Sequence, residues 1–471
     1  MEDQLARAMK RAVPGGSAHT GPGPTAKHSP LAVAVVGGGW AGLAAAVEAT
    51  SRGHAVTLFE MAPSLGGRAR RLPGEQHELP LDNGQHILIG AYRETLRLMA
   101  LVGVDETAVL RRMPLQLVDA AGRGLALPHG AALPAFVRGV LGARGWTISE
   151  RLALLAAATG WMLRGFRCDP AQSVAQLSAA LPVAVRRSLI EPLCVAALNT
   201  PAEQASAEVF LRVLRDALFA GRGASDLLLP RVDLSALWPD AAARWLRERG
   251  AFLHTARRVD RVEPRGAQWQ VDAECFDRVI LACSALEAAR LTEPHAPVWA
   301  RTARALRHEP IVTVLLRAAG ARLPAPLLAL DSSDSAPAQY VFDLGQLRDP
   351  AHEPGAAGTL AFVISGAARA VERGLDHTAR AVQAQAIAQL GALLPGAPVL
   401  LRSVSEKRAT FLCTPGLVRP SALVSADHPG LHAAGDYIDG PYPATLEGAV
   451  QSGVAAARAL SLWRAKASRA A

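Results

Sequence analysis

Cysteine is scarce in this chain of 471 residues, which contains five. The number is odd and no two of them form a C-x-x-C pair, so neither a disulfide framework nor a metal site is expected. Few and unpaired cysteines fit a reducing compartment, which predicts a cytoplasmic location. The five are Cys168, Cys194, Cys275, Cys283 and Cys413.

Long uninterrupted apolar stretches are also missing. Residues 31–47 carry no charge but contain four glycines, and the uncharged residues 152–163 fall short of the roughly 20 that cross a bilayer. We expect 152–163, with Trp161 and Met162, either to lie peripherally on the inner membrane or to be an ordinary core helix. Residues 1–30 have no secretory signal pattern and are interpreted as a disordered leader.

Acidic residues number 41 against 50 lysines and arginines, which gives a formal charge of +9. The basic residues are spread along the chain, and no basic run with interleaved aromatic residues occurs. Nucleic acid is therefore not an expected partner. Attraction to an anionic membrane surface and an arginine-rich proteome both remain open as explanations of the charge.

Glycine, in contrast, is concentrated where it indicates a cofactor. Residues 31–36 are typical of a buried parallel strand, and Gly37, Gly39 and Gly42 follow as G-x-G-x-x-G. The first glycine permits a tight turn, the second lets the backbone approach a pyrophosphate, and the third lets the next helix pack on the sheet. That helix, starting around Trp40 and Ala41, directs free N–H groups at phosphates.

A carboxylate completes this strand–turn–helix–strand unit. Residues 56–60 are predicted as the second strand, and Glu60 at its end can accept hydrogen bonds from both hydroxyls of a ribose. The order of elements predicts a right-handed mononucleotide-binding unit.

Two further segments favour FAD over NAD. Gly66 and Gly67 precede Arg68, whose planar cation suits the cofactor phosphates. Near the other end of the chain, Gly435-Asp436 follows a short predicted strand, and Asp436 can accept a hydrogen bond from a ribityl hydroxyl. A helix beginning near Thr445 and Leu446 is expected to direct its positive end at the flavin.

The three segments together resemble the glutathione-reductase-like flavoprotein superfamily, in its amine oxidase/phytoene desaturase branch. The resemblance implies an α/β fold, with an FAD-binding Rossmann domain and a discontinuous, largely helical plus sheet substrate domain. It also implies that the backbone of Val259 contacts adenine. The implied FAD-binding parts are 31–115, 246–305 and 401–471, and the implied substrate-domain parts are 116–245, mostly helical, and 306–400.

Other segments resemble the squalene-associated FAD-dependent enzymes, the hydroxysqualene dehydroxylase family. They are D-N-G-Q-H at 82–86, the run at 191–201, L-L-P-R-V-D-L-S at 228–235 and E-K-R-A-T-F at 406–411. The resemblance implies removal of the hydroxyl of hydroxysqualene to give squalene, driven by reduced FAD. It further implies a hydrophobic isoprenoid substrate, an apolar tunnel lined by the mostly helical part 116–245, and an electron donor for FAD.

Five side chains are candidates for the proton transfer that this chemistry needs. His86 and Asp82 follow the cofactor region, and Glu191 precedes an apolar segment where burial would raise its pKa. Lys407 resembles a lysine of the superfamily that holds water near the flavin, and Tyr437 follows the Gly-Asp turn. Purely structural roles stay open for all of them.

Two alternatives remain at this point. A desaturase or amine oxidase of the same fold differs only in its substrate. A flavin-binding lipid carrier without catalysis is an alternative of another class.

Overall fold

The computed structural model describes residues 30–72, 79–218, 220–349, 351–426 and 429–467, with side chains up to 460. The predicted leader at 1–30 lies outside this part of the chain except for Pro30. Residues 31–471 form one compact unit, and the division into FAD-binding and substrate parts stays a prediction.

The predicted mononucleotide-binding unit is present at the start of the described chain. Strand β1 (Ala32–Val36) leads into helix α1 (Trp40–Ser51), which is followed by β2 (Ala55–Phe59). The two strands pair in parallel, Ala32 opposite Ala55 through Val36 opposite Phe59. Apolar β-branched residues buried on both faces explain why β1 is the centre of a sheet.

That sheet has five parallel strands, in the order β18 (Leu431–Ala433), β12 (Arg278–Leu281), β1, β2 and β8 (Phe252–His254). Strands β12 and β18 come from distant parts of the chain, so the sheet is assembled from both ends of the sequence. The strands in chain order up to β12 are β3 (Leu88–Ile89), β4 (Leu110–Met113), β5 (Gln116–Val118), β6 (Gly124–Ala126), β7 (Leu227–Pro230), β8 (Phe252–His254), β9 (Val262–Arg265), β10 (Gln268–Val271), β11 (Glu274–Phe276) and β12 (Arg278–Leu281).

A second five-stranded sheet is antiparallel. Its strands, in their order across the sheet, are β14 (Leu327–Ala329), β15 (Tyr340–Asp343), β16 (Thr359–Ile364), β13 (His308–Arg317) and β17 (Val399–Phe411). The strands predicted at 311–316 and 360–364 are its members β13 and β16, each slightly longer than predicted.

Helices dominate the stretch from 110 to 240, as expected, but it also contains β4 to β7. These strands have three or four residues each, too few to show a period of two in the sequence. The other helices in chain order are α2 (Arg93–Leu101), α3 (Glu106–Val109), α4 (Ala132–Gly142), α5 (Ile148–Leu163), α6 (Val174–Leu177), α7 (Val183–Val185), α8 (Glu191–Leu198), α9 (Ala207–Leu218), α10 (Leu234–Leu237), α11 (Pro239–Glu248), α12 (Ala285–Thr292), α13 (Pro297–Arg304), α14 (Ala368–Glu372), α15 (Leu375–Leu390) and α16 (Leu446–Ala467).

The C-terminal helix α16 packs along α1 with unusually close backbones. A Cβ atom at Gly453 would lie 2.1 Å from the carbonyl oxygen of Ala41, so only glycine fits there. Glu447 at the start of α16 accepts hydrogen bonds from the backbone N–H groups of Glu94 and Thr95. It thereby satisfies free donors at the start of α2 and ties these helices together.

A buried carboxylate reinforces the same three-helix junction. Glu48 of α1 contacts Arg52 of α1 at 3.0 Å, Arg97 of α2 at 2.8 Å and Arg458 of α16 at 2.9 Å. Burial alone would raise the pKa of Glu48, but the hydrogen bonds from the three arginines outweigh it and lower the pKa to about 2.

We expect this cluster to make stability depend on pH. Because the folded pKa of Glu48 is lowered, its stabilisation is complete above its unfolded pKa near 4.5 and disappears as the pH falls towards 2. The contribution is up to about 3 kcal/mol. Urea unfolding at pH 7 and pH 3 should show a smaller loss on acidification in Glu48→Gln than in the wild type. Equal losses in the two proteins would contradict this assignment.

Candidate functional site

A single cavity of about 650 Å³ extends from the glycine turn after β1 to one face of the antiparallel sheet. Of the fourteen residues predicted to contact the cofactor, all except Gly42 line it. These are Gly37, Gly39, Trp40, Ala41, Glu60, Gly66, Gly67, Arg68, Val259, Gly435, Asp436, Thr445 and Leu446.

Gly42 lies behind the cavity wall, where α1 meets β1. A Cβ atom there would lie 1.8 Å from the carbonyl oxygen of Gly37 and 3.2 Å from the Cβ of Ala282. Gly37 itself has a φ of +110°, in the region that favours glycine. The third glycine therefore permits the helix to approach the sheet rather than touching a ligand.

The glycines of the second segment lie directly beside this turn. Gly39 and Gly66 form a parallel bridge, and the N–H of Gly66 donates to the carbonyl of Gly38 at 2.9 Å. A Cβ atom at Gly67 would lie 3.0 Å from the Cα of Gly39. Two backbone turns thus form one cradle without side chains, of the kind that accommodates a pyrophosphate.

Glu60 is buried at the end of β2, on the cavity wall. Its carboxylate accepts hydrogen bonds from the N–H of Gly38 at 2.6 Å and of Ala62 at 2.8 Å. These bonds fix the carboxylate beside the glycine turn, which is the location that a ribose acceptor requires.

An ion pair connects the two distant cofactor segments. Arg68 donates to the carboxylate of Asp436 at 2.5 Å and to the carbonyl of Ala409 at 2.7 Å. The N–H of Gly435 donates to the hydroxyl of Ser452 in α16, at 2.8 Å. The start of α16 is capped by Thr445, whose hydroxyl accepts from the N–H of Gly448 at 2.9 Å.

Beyond the glycine cradle the cavity wall is mostly apolar. Helices α8 and α9 and the antiparallel sheet contribute residues to this wall. The aliphatic and aromatic residues of this wall are Leu115, Leu117, Leu193, Ala196, Ala197, Val213, Leu214, Ala217, Leu218, Ile311, Leu327, Phe342, Val363 and Val404. Such a wall suits a hydrocarbon chain.

Two of the five catalytic candidates, His86 and Tyr437, line the cavity. Burial and, to a smaller extent, the charge of Arg68 lower the pKa of His86 to about 4, against the effect of a hydrogen bond with the backbone of Asn83, so the imidazole is neutral at pH 7. Burial raises the pKa of Tyr437, and its hydroxyl has no hydrogen-bond partner among the described residues. The hydroxyl of Tyr437 is therefore available to hydrogen-bond a ligand, whereas His86 already has one partner in the backbone of Asn83.

The other three candidates lie outside the cavity lining. Asp82 is buried against Arg348 at 2.8 Å and accepts from the N–H of Leu234 at 2.8 Å, which is a structural setting. Glu191 is half-buried in the first turn of α8, and Lys407 is exposed on β17 between two cavity residues. Their catalytic roles stay predictions without support from this placement.

Sequence reasoning did not select several polar residues of the cavity. Asn83 donates to Glu406 at 2.9 Å, and His308, Thr313 and Tyr340 come from the antiparallel sheet. The alternation of residues along a strand is a signal that could have found some of them, since Thr313 follows Ile311 and Phe342 follows Tyr340 by two positions in the cavity lining. That signal alone does not tell which face of a strand meets a ligand.

The family described as "Flavin containing amine oxidoreductase" matches residues 40–461. The chain belongs to this family. It is an FAD-dependent oxidoreductase, and the glycine cradle, Glu60 and the Arg68–Asp436 pair fit the cofactor that the family carries.

Two relatives and one solved structure are similar to this chain over most of its length. The chain is 25% identical over 449 residues to a hydroxysqualene dehydroxylase of Sinorhizobium fredii, covering 91% of this chain and 98% of that protein. It is 27% identical over 436 residues to one of Rhodopseudomonas palustris, covering 90% and 97%. The structure of a cyclohexylamine oxidase from Brevibacterium oxydans shares the fold, with a TM-score of 0.65 and 17% identity over 92% of this chain and 98% of that one.

Proposed function

We propose that this enzyme removes the hydroxyl group of hydroxysqualene to give squalene. The observation that carries the proposal is the single cavity in which the FAD cradle is continuous with an apolar wall from α8, α9 and the antiparallel sheet. The full-length similarity to proteins named hydroxysqualene dehydroxylase supports the same substrate.

The residues of the cavity suit this chemistry. Reduced FAD, when bound, supplies a hydride to carbon. The apolar wall takes the hydrocarbon chain and excludes water, which protects an electron-poor carbon from capture by solvent. The hydroxyl leaves as water only if its oxygen receives a proton, so it must meet a proton donor, and the two hydrogens of the reduced flavin balance the C–H and O–H bonds that form. His86, being neutral at pH 7, acts there as a hydrogen-bonding group rather than as a charged acid.

A product assay distinguishes this proposal from its alternatives. We expect the FAD-loaded enzyme with a chemical reductant, under anaerobic conditions, to convert hydroxysqualene into squalene over many turnovers. The apoprotein is the matched control and should form none. Hydrogen peroxide formed from an amine in air would favour an amine oxidase, and conversion of a carotenoid would favour a desaturase. No turnover with any of these would favour a lipid carrier.

We further propose that the enzyme takes its lipid substrate at an anionic membrane surface. Among the described residues, no helix has the length and apolar character to cross a bilayer. Helix α5 nevertheless exposes 73% of Ile148, 55% of Leu152 and 84% of Leu163, and it packs against α4 and α7. Further exposed residues of this helical surface are Leu133, Leu141, Val183, Arg138, Arg144, Arg164, Arg167 and Arg187.

Apolar side chains among arginines predict binding to anionic vesicles. We expect the protein to co-sediment with vesicles rich in phosphatidylglycerol and the double variant Ile148→Glu/Leu163→Glu to bind several-fold less. Val399→Glu, which changes an exposed valine of β17 instead, is the matched control and should bind like the wild type. Equal loss in both variants would speak against α5 as the contact.

A further inference from the structure

One face of the antiparallel sheet presents a row of four side chains to the cavity. The register places Tyr340 of β15 opposite Val363 of β16, Val363 opposite Thr313 of β13, and Thr313 opposite Val404 of β17. Directly paired residues point to the same face of a sheet, and all four line the cavity. Two hydroxyl-bearing residues therefore flank a valine in one row across four strands.

Both hydroxyls are buried without a hydrogen-bond partner in the part of the chain that the structure describes. Tyr340 is 6% exposed and Thr313 is 3% exposed. Leaving a buried polar group without a hydrogen bond is unfavourable, so buried tyrosine hydroxyls usually have a partner. Burial also raises the pKa of Tyr340, which keeps its phenol protonated and able to donate.

The row lies next to the loop that carries His86. A Cβ atom at Gly84 would lie 3.9 Å from the hydroxyl oxygen of Thr313 and 4.0 Å from the Nε2 of His86. The charge of Arg68, which lines the cofactor end of the cavity, acts on the same imidazole. The unpartnered hydroxyl of Thr313 is thus close to the cofactor end, and Tyr340 lies two strands further along the same row.

We propose that Tyr340 and Thr313 form the subsite that binds the hydroxyl oxygen of the alcohol substrate. The inference rests on the proposed function, because an alcohol on a hydrocarbon chain is the ligand it identifies. The neighbouring wall, with Ile311, Val363 and Val404, takes the hydrocarbon on either side. A site built to hydrogen-bond a hydroxyl discriminates strongly against an analogue without it, because its own polar groups are then left unpaired.

The test compares the binding of an alcohol and of its hydrocarbon without turnover. The oxidised, FAD-loaded enzyme is titrated with hydroxysqualene and with squalene, and the flavin absorbance reports binding. We expect the wild type to bind hydroxysqualene at least about tenfold more tightly, and Tyr340→Phe and Thr313→Val to reduce that ratio several-fold. Phe342→Leu, a cavity residue of the same strand, should weaken both ligands alike and leave the ratio unchanged.

The melting temperature of the variant distinguishes a substrate-binding role of the Tyr340 hydroxyl from a structural role. Tyr340→Phe removes a hydroxyl that has no partner, so its melting temperature should equal or exceed that of the wild type. A ratio unchanged in Tyr340→Phe, or a wild type without preference for the alcohol, would overturn the subsite. Absence of squalene from the wild-type product assay would instead reject the proposed function.

Discussion

Gly42→Ala is expected to give a protein that does not retain FAD. The new Cβ atom would lie 1.8 Å from the carbonyl oxygen of Gly37, and this backbone contact can be relieved only by moving α1 away from β1. Such a shift displaces the start of the helix and opens the glycine turn that approaches the pyrophosphate. The ratio of flavin to protein absorbance after gel filtration measures the loss, which we expect to exceed tenfold.

Gly160→Ala is the matched control for this prediction. Gly160 also lies within a helix, α5, and the nearest atom to an added Cβ is the flexible end of Arg164 at 3.5 Å. Alanine should raise stability slightly there, by about 0.5–1 kcal/mol, and leave the flavin content unchanged. Full flavin content in Gly42→Ala would show that the contact between α1 and β1 does not control cofactor binding.

Arg348→Met is expected to destabilise the protein by about 3–5 kcal/mol, because it leaves a buried carboxylate without its partner. Arg348 and Asp82 are 2% and 5% exposed at their side chains and lie 2.8 Å apart. The pair connects the segment after β15 to the segment that leads into His86. Because burial raises the pKa of Asp82 to about 7, urea unfolding is measured at pH 9, where its carboxyl is ionised in the wild type.

An exposed pair provides the comparison for Arg348. Arg373 contacts Asp334 at 3.1 Å, but both side chains are largely in solvent, so Arg373→Met should cost less than about 1 kcal/mol. The double variant Arg348→Met/Asp82→Leu should recover part of the lost stability, since no charge is then left buried. A loss below about 1 kcal/mol in Arg348→Met would mean that the pair does not stabilise this junction.

The FAD end of the site was predictable because its signals are local. The turn after β1 requires glycine at Gly37, which has a φ of +110°, and at Gly42, where the helix approaches the strand closely. These glycines lie within a few residues of each other, so the sequence shows them as one motif. The distant Gly435-Asp436 segment was recognised for the same reason. Asp436 and Arg68 are 368 positions apart in the sequence, and their contact is expected because both segments are assigned to one cofactor.

The substrate end was less predictable because it depends on which face of each strand meets the cavity. Lys407 is exposed on β17, whereas its neighbours Glu406 and Arg408 line the cavity. Asp82, a candidate for proton transfer, pairs with Arg348, which is 266 residues away and which no local pattern connects to it. Tyr340 and Thr313 are brought together by strand register, which no local pattern specifies.

Single turnover in the absence of oxygen tests the central claim most directly. The FAD-loaded enzyme is photoreduced, mixed with hydroxysqualene, and followed by flavin absorbance and by product analysis. The account predicts that the flavin is reoxidised and that one squalene forms for each flavin oxidised. A flavin that stays reduced, with hydroxysqualene recovered unchanged, would contradict it.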